Sequence, residues 1–328
     1  MESLFFIMKN KITIITNDAG GSEILLNLVL NEIDNFEFEI FTLKNSPASK
    51  LCTKYNLKNV NFNDLKELRI LIIKSNPMYI IYGTGWQINF SSLVFDLSKE
   101  YNIKSIALLD HWTNYKQRFV NNCIPKNIFV TDLNAKKLAR NYFPDKNIIQ
   151  IDNYYLTSLI KKYKHTDNKY ILFISEPTTT VAKKYFGKES AYGFTEYEVL
   201  EEILEKFDNI LIRLHPSDEK NKYDYLVKKY FNKDIEIISS YSEGLVDTLS
   251  NSNLVIGFDG MALYISYILG IKTVSYMPNN KRKLSIPLPD NFLITKIDDI
   301  SKIDFSMNEI NNLHKDYIDF KKALKCTL

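Results

Sequence analysis

The chain has 328 residues, 45% apolar and 25% charged, with a net charge of +3; that length and balance suit about two folded domains. So small a positive excess argues against a dedicated nucleic-acid binder, which gathers basic residues on one face. No apolar run reaches the roughly 18 residues of a membrane span. The three cysteines, Cys52, Cys123 and Cys326, lie far apart, so a disulfide framework or metal-type spacing is not expected, and a reducing cytoplasm is.

The opening run Leu4 to Met8 is too short for a signal h-region and has no basic n-region. Lys11 to Thr16 reads as a strand. Asn17 to Ser22 follows as a tight turn with Ser22 as a candidate N-cap, and Glu23 to Ile33 carries Ile24, Leu25, Leu28 and Val29 on one helical face. Strands are then predicted over Phe36 to Thr42, Met78 to Tyr82, Ser105 to Leu109 and Asn127 to Thr131. Helices are predicted over Asp64 to Lys74, Ser91 to Glu100 and Asn134 to Tyr142. Such alternation means a parallel sheet covered on both faces.

The second half repeats the plan. Strands are predicted over Tyr170 to Ser175, Asn209 to Leu214, Ile235 to Ser239, Leu254 to Phe258 and Lys272 to Tyr276. Helices are predicted over Glu196 to Phe207, Leu245 to Ser250, Met261 to Leu269 and Ser306 to Lys325, with helical character from Glu219 to Phe231. Thr178 to Phe194 reads as a polar, irregular stretch long enough for a lid, with Gly187 and Gly193 as hinges. A charged connector lies between Leu156 and Asn168. The expected organisation is α/β, two Rossmann-like doubly wound domains facing a cleft: residues 1–160, residues 161–305, and a C-terminal helix, 306–328, that could cross back to the first domain. That helix carries Ile310, Leu313, Tyr317, Phe320 and Leu324 at helical spacing beside Lys315, Lys321, Lys322 and Lys325. Docking on the protein is expected ahead of a peripheral contact with anionic lipid at the inner face of the membrane.

Four groups could carry chemistry. In the first, Gly20 and Gly21 let ligand approach the backbone, and the helix start after them suits an anion, although the dinucleotide fingerprint spacing is absent. Asp18 there could take a proton from a hydroxyl nucleophile or simply cap the helix, and both readings stand. In the second, Asp110 to Arg118 puts two titratable groups, two aromatics and two cations directly after a buried strand, a composition that apolar core does not need. Asp110, His111, Trp112, Asn114, Tyr115 and Arg118 are candidates for substrate: Trp112 and Tyr115 by stacking on a sugar, Arg118 by pairing with a carboxylate or phosphate. The bland alternative is that the aromatics pack the loop down and Arg118 pairs with an acid. In the third, Arg213, His215, Pro216 and Ser217 close a buried strand where open α/β sheets bind ligands; the imidazole can donate to a phosphate and Pro216 fixes the turn. Glu176 ends a strand in the same half. In the fourth, Asp259, Gly260, Met261 and Ala262 open a helix whose amides could hold a phosphate, with Asp259 as an ordinary cap the alternative. His165 and His314 read as surface residues, and Glu201 and Glu202 as a solvated face.

With these pieces placed, the chain resembles a GT-B glycosyltransferase, the type with two Rossmann domains. Arg213-Leu214-His215-Pro216 resembles the HP motif of bacterial sialyltransferases, polysialyltransferases and related capsule or lipooligosaccharide transferases. Gly257 to Lys272 resembles their segment of strand, phosphate-binding turn, helix and glycine. The resemblance implies that His215 contacts the phosphate of a CMP-sugar donor. It departs from the family at Asp259-Gly260, where a Ser-Ser or Ser-Thr pair usually stands. The family's first-domain base often sits in an Asp/Glu-Asp-Gly tripeptide, which this chain lacks; Asp18 is the nearest match by place and Asp110 the second.

The expected function is therefore an inverting, metal-independent glycosyltransferase. It would move a nonulosonic, sialic acid-like sugar from a CMP donor onto a bacterial surface glycan. Asp18 would be the base, and His215 would stabilise the leaving phosphate with help from amides near Gly260. The nucleotide sugar and the glycan acceptor are substrates, and neither a cofactor nor a metal is expected, no Asp-x-Asp motif being present. The alternatives are a UDP-sugar transferase or UDP-sugar 2-epimerase of the same fold, a CDP-polyol phosphotransferase, and a non-catalytic nucleotide-sugar-binding subunit.

Overall fold

The structure, a computed structural model, describes residues 11–85, 88–166, 170–240, 242–280, 283–305 and 317–327. The chain divides into two compact units, Met1–Ser158 with Asn312–Leu328, and Leu159–Asn311.

In the first unit the order is β1 (Lys11–Thr16), α1 (Ala19–Glu32), β2 (Glu37–Leu43), α2 (Pro47–Lys54), β3 (Val60–Phe62), α3 (Leu65–Ser75), β4 (Tyr79–Gly83), α4 (Ser91–Glu100), β5 (Lys104–Leu108), β6 (Asn127–Val130), α5 (Leu133–Tyr142) and β7 (Asn147–Gln150). The sheet runs β3-β2-β1-β4-β5-β6-β7, and every pairing in it is parallel. β1 shows why: Ile12, Ile14 and Ile15 are wholly buried, and so are Thr13 and Thr16. A strand with no polar face must be covered on both sides, which helical crossovers do. The order reverses between β1 and β4, so their carboxyl ends flank the place where ligands bind in such sheets.

α6 (Tyr154–Lys162) runs through the boundary between units, where a connector was expected. The second unit holds β8 (Tyr170–Ile174), α7 (Thr178–Phe186), α8 (Glu196–Lys206), β9 (Asn209–Arg213), α9 (Asp224–Lys229), β10 (Asp234–Ile238), α10 (Leu245–Ser250), β11 (Ser252–Gly257), α11 (Met261–Ile268), β12 (Lys272–Tyr276) and β13 (Leu293–Ile294). Its sheet, β10-β9-β8-β11-β12-β13, is again parallel throughout, and its order reverses between β8 and β11.

α12 (Phe320–Lys325) belongs to the first unit. Phe320 is wholly buried there and meets Phe36 and Phe129 edge-on, with ring centroids 5.3 and 6.3 Å away. Ile318 bridges to Ile151, and Asn147 donates to the Cys326 carbonyl. The apolar positions Phe320 and Leu324 thus face the core while Lys321, Lys322 and Lys325 stay exposed. The helix predicted over Ser306 to Lys325 is corrected at Tyr317 to Asp319, which are not helical because Ile318 is drawn into the bridge to Ile151; residues 306–316 lie outside the described residues, as do Leu4 to Met8.

Two further local expectations are corrected. The helix after β1 begins at Ala19 and is capped by Asp18, whose side chain accepts from the Gly21 N–H; Ser22 sits inside the helix and donates to the Asp18 carbonyl. The stretch from Thr178 is not irregular: α7 occupies its first half and ends at Gly187, whose φ of 71° terminates it in the left-handed region. Thr179, Thr180, Lys183 and Lys184 give that stretch its polar look because α7 is amphipathic and exposed on one side; Thr178 and Ala182 are its buried residues.

Candidate functional site

In the first unit the carboxyl ends of β1, β4 and β5 bring together Asp18, Gly85 and Asp110. The Asp18 and Asp110 carboxylates are close enough to repel. Burial, then the charge of Asp110, push the Asp18 carboxyl from its usual 3.8 up to about 6, against the Gly21 N–H and Arg118, which favour the ion. Arg118 Nη1 lies 2.7 Å from Asp110 Oδ1, an ion pair that fixes the Asp110 carboxylate beside Asp18.

Glycines make the packing feasible. A Cβ on Gly85 would stand 2.0 Å from Asp18 Oδ2, and one on Gly20 would stand 2.9 Å from Asp110 Oδ2. Gly20 and Gly21 therefore serve the carboxylates themselves, beyond any approach of ligand to backbone. Asn17, wholly buried, has no hydrogen-bond partner at either end of its amide among the described residues. A buried amide left so costs a few kcal/mol unless something fills it. Asn17 and Gly85 were not picked out from the sequence; an Asn at the last buried position before Asp18 was the available signal.

The loop after β5 departs from the stacking-platform expectation. Trp112 is 9% exposed and its Nε1 donates to Asp132 at 2.9 Å. Tyr115 is buried and lies parallel to Phe143, 6.4 Å between centroids. Neither offers a ring face to a sugar, because both hold the loop against α5. Arg118 is likewise not available to a substrate anion: it is buried, and it donates to the Thr84 and Thr113 carbonyls as well as to Asp110. Its fixed fork cross-links the β4 and β5 ends. His111 is partly exposed and its Nδ1 accepts the Trp112 N–H, which leaves Nε2 to carry the proton. Asn114 is exposed at φ 60° and serves the turn.

In the second unit the ends of β8, β9 and β11 place Glu176, His215 and Gly260. His215 Nδ1 accepts the Ser217 N–H at 3.1 Å and lies 2.7 Å from Ser217 Oγ. The neutral ring therefore carries its proton on Nε2, as a donor. Burial lowers the imidazole pKa, with Lys222 adding to the effect and Asp218 opposing it, so the ring is neutral at pH 7. Ser217 thus orients His215, and Pro216, exposed, shapes the turn. Arg213 is corrected from a donor contact to a structural residue: its guanidinium is buried and donates to Thr248 Oγ1 and to the Ser240 and Glu243 carbonyls.

α11 begins at Met261 after Gly260 at the N-cap position, with no side-chain cap. Asp259 does not cap it; its carboxylate turns away and accepts the Ser285 and Ile286 N–H groups at 2.7 and 3.2 Å. Glu176 Oε1 accepts the Asp259 N–H at 3.0 Å and stands 2.7 Å from where a Gly260 Cβ would be. A carboxylate thus already lies at the helix start, and an incoming phosphate near Met261 and Ala262 must displace it or share its repulsion.

The sequence matches no family model and no curated protein. Solved structures do resemble it in fold. A UDP-N-acetylglucosamine 2-epimerase from Rickettsia bellii has a TM-score of 0.62 at 12% identity, over 97% of this chain and 94% of that one. The UDP-GlcNAc 2-epimerase from Neisseria meningitidis bound to UDP-GlcNAc gives 0.60 at 13%, over 83% and 84%. MurG from Acinetobacter baumannii gives 0.51 at 10%, over 89% and 81%. With two parallel sheets of seven and six strands, each ordered about a switch point, the chain has the GT-B fold of two Rossmann-like domains.

Proposed function

We propose that the protein is an enzyme acting on a UDP-sugar, that Asp18 is its proton-transfer group, and that inversion at C2 of the sugar is its reaction. The observation that carries the proton-transfer role is the Asp18–Asp110 pair. A carboxyl raised to about 6 at a sheet switch point is a base near neutral pH and can hold a proton just below it. UDP as the nucleotide is supported by the names of the similar structures, two of them UDP-N-acetylglucosamine 2-epimerases. In the second unit, His215 has an Nε2–H able to donate to a nucleotide phosphate oxygen. The C2–H proton goes to Asp18 as the C1–O bond to UDP breaks, and proton return on the opposite face with re-addition of UDP completes the inversion. His111, with its proton on Nε2, stands in the same unit as Asp18 as a second group able to move a proton.

A second reading, transfer of the sugar to a glycan hydroxyl, is favoured by one feature: Arg118 immobilises Asp110, leaving Asp18 as a single base, which suits one deprotonation of an acceptor. A CMP-linked donor belongs to this reading and rests on the resemblance around His215.

The test is incubation with UDP-N-acetylglucosamine in D2O without acceptor. Deuterium at C2 together with the 2-epimer, both lost in Asp18→Asn, is the expected result. No exchange, with UDP or CMP released from a nucleotide sugar only when an acceptor glycan is added, would establish the transfer reading. Neither activity, with no nucleotide bound, would refute both.

A further inference from the structure

Behind His215 lies a buried charged cluster that the proposed reaction does not use. Lys222 Nζ is 2.9 Å from Asp218 Oδ1 and 3.0 Å from Glu196 Oε1, and the three side chains are 8%, 3% and 1% exposed. The ammonium also reaches Ser175 Oγ and the Glu176 carbonyl, each at 3.3 Å. Asp218 Oδ2 accepts the His215 backbone N–H at 2.9 Å and the Ser175 hydroxyl at 2.6 Å. Tyr223 lies 2.7 Å from that hydroxyl, and Glu196 Oε2 accepts the Thr179 N–H at 2.8 Å. One cation therefore ties the β8 end, the start of α8 and the β9 turn together, and Glu196 carries the link on to the start of α7.

Buried ion clusters of this kind seldom add net stability, since desolvation offsets their attraction, and a positional role accounts better for their presence. The turn that Asp218 grips is the one that carries the imidazole. We propose that Lys222 is a positioning residue for His215: through Asp218 it holds the turn so that Nε2–H faces the nucleotide phosphate. The role as phosphate donor rests on the function proposed above; the grip on the turn does not.

The test removes the cation without changing the net charge of the cluster. In wild type one cation faces two carboxylates; in the double variant Lys222→Met/Glu196→Gln, Asp218 alone remains, and the cluster keeps a charge of −1. Nitrogen-resolved NMR of His215 is the first readout. Wild type shows one tautomer with the proton on Nε2. The variant is expected to show a mixture, with the titration midpoint moved up, because Lys222 no longer opposes protonation. UDP affinity measured by calorimetry is expected to fall about tenfold, the usual scale for losing a supporting partner. A folded variant with the wild-type tautomer overturns the proposal whatever its midpoint, since loss of the Lys222 charge alone moves the midpoint while only a displaced turn changes the tautomer. If the double variant does not fold, Ser175→Ala, which removes one bond to Asp218 and no charge, is read by the same spectrum, with a smaller change in the same direction expected and no change overturning it. His215→Ala separates the two claims: unchanged UDP affinity in that variant removes the phosphate role of His215, while the imidazole spectrum still decides the role of Lys222.

Discussion

Asp18→Asn should stabilise the protein at neutral pH while abolishing its reaction. The raised carboxyl of Asp18 means that the folded state binds this proton more tightly than the unfolded chain does. Ionisation of Asp18 therefore works against folding as pH rises from its usual 3.8 through about 6. The sign is opposite to that of a salt-bridged aspartate: the cost is absent at pH below about 4, grows between 4 and 6, and is complete above. Converted at 1.4 kcal/mol per tenfold, it reaches about 3 kcal/mol, roughly a quarter to a half of a typical domain stability. Asparagine removes the charge but keeps an oxygen that can accept the Gly21 N–H, so the helix cap survives. Urea unfolding of both proteins at pH 4 and pH 7.5 checks this. The variant should match wild type at the lower pH and exceed it by about 2–3 kcal/mol at the higher. Equal stabilities at both values, or a variant less stable at pH 7.5 than at pH 4 relative to wild type, would refute the claim that Asp18 is held under repulsion.

The same ionisation should appear in turnover, with kcat/KM falling below an acid limb near pH 6, the value for Asp18; a limb at 4 or none would count against Asp18 as base. Gly85→Ala would drive a methyl into the Asp18 carboxylate and should lower kcat/KM about 100-fold while costing about 1–3 kcal/mol of stability, read by turnover and urea melts; an active Gly85→Ala enzyme contradicts the packing. Glu176→Gln removes the carboxylate at the start of α11 and should tighten UDP binding about tenfold, measured by calorimetry, whereas weaker binding would mean that Glu176 itself holds the ligand. Phe320→Ala, at the buried anchor of α12, should cost about 3–5 kcal/mol in the first unit, seen as a lowered melting temperature.

Much of the fold was legible because it rests on local signals. Continuous apolar runs such as those around Ile14 and Ile212 are strands with two buried faces, and they alternate with helical spacings, so a parallel α/β plan follows without tertiary knowledge. α4 and α10 carry the predicted bounds, Ser91–Glu100 and Leu245–Ser250. Short elements escaped: β3 and β13, of three and two residues, offer too few positions for a period. In the sequence α6 looks like a connector because Lys161 and Lys162 mask its apolar side, and α7 looks like a loop because threonines and lysines hide an amphipathic helix.

The sequence by itself determined which residues stand at strand ends, and so Asp18, Asp110, Glu176, His215 and Gly260 could be nominated from their places in the chain. Only the tertiary structure decided what each one does there. Arg118 and Arg213 look equally free in a sequence, yet each is consumed by backbone carbonyls and side chains, some of them contributed from 27 to 35 residues away. Trp112 turns inward because Asp132, on the next strand's loop, takes its N–H. The pairing of Asp18 with Asp110, and of Lys222 with Glu196, depends on strands and helices far apart in the chain meeting at one sheet edge. Charge interactions act through space at a few ångströms, so their partners, and the pKa values they set, exist only once the fold has closed those distances.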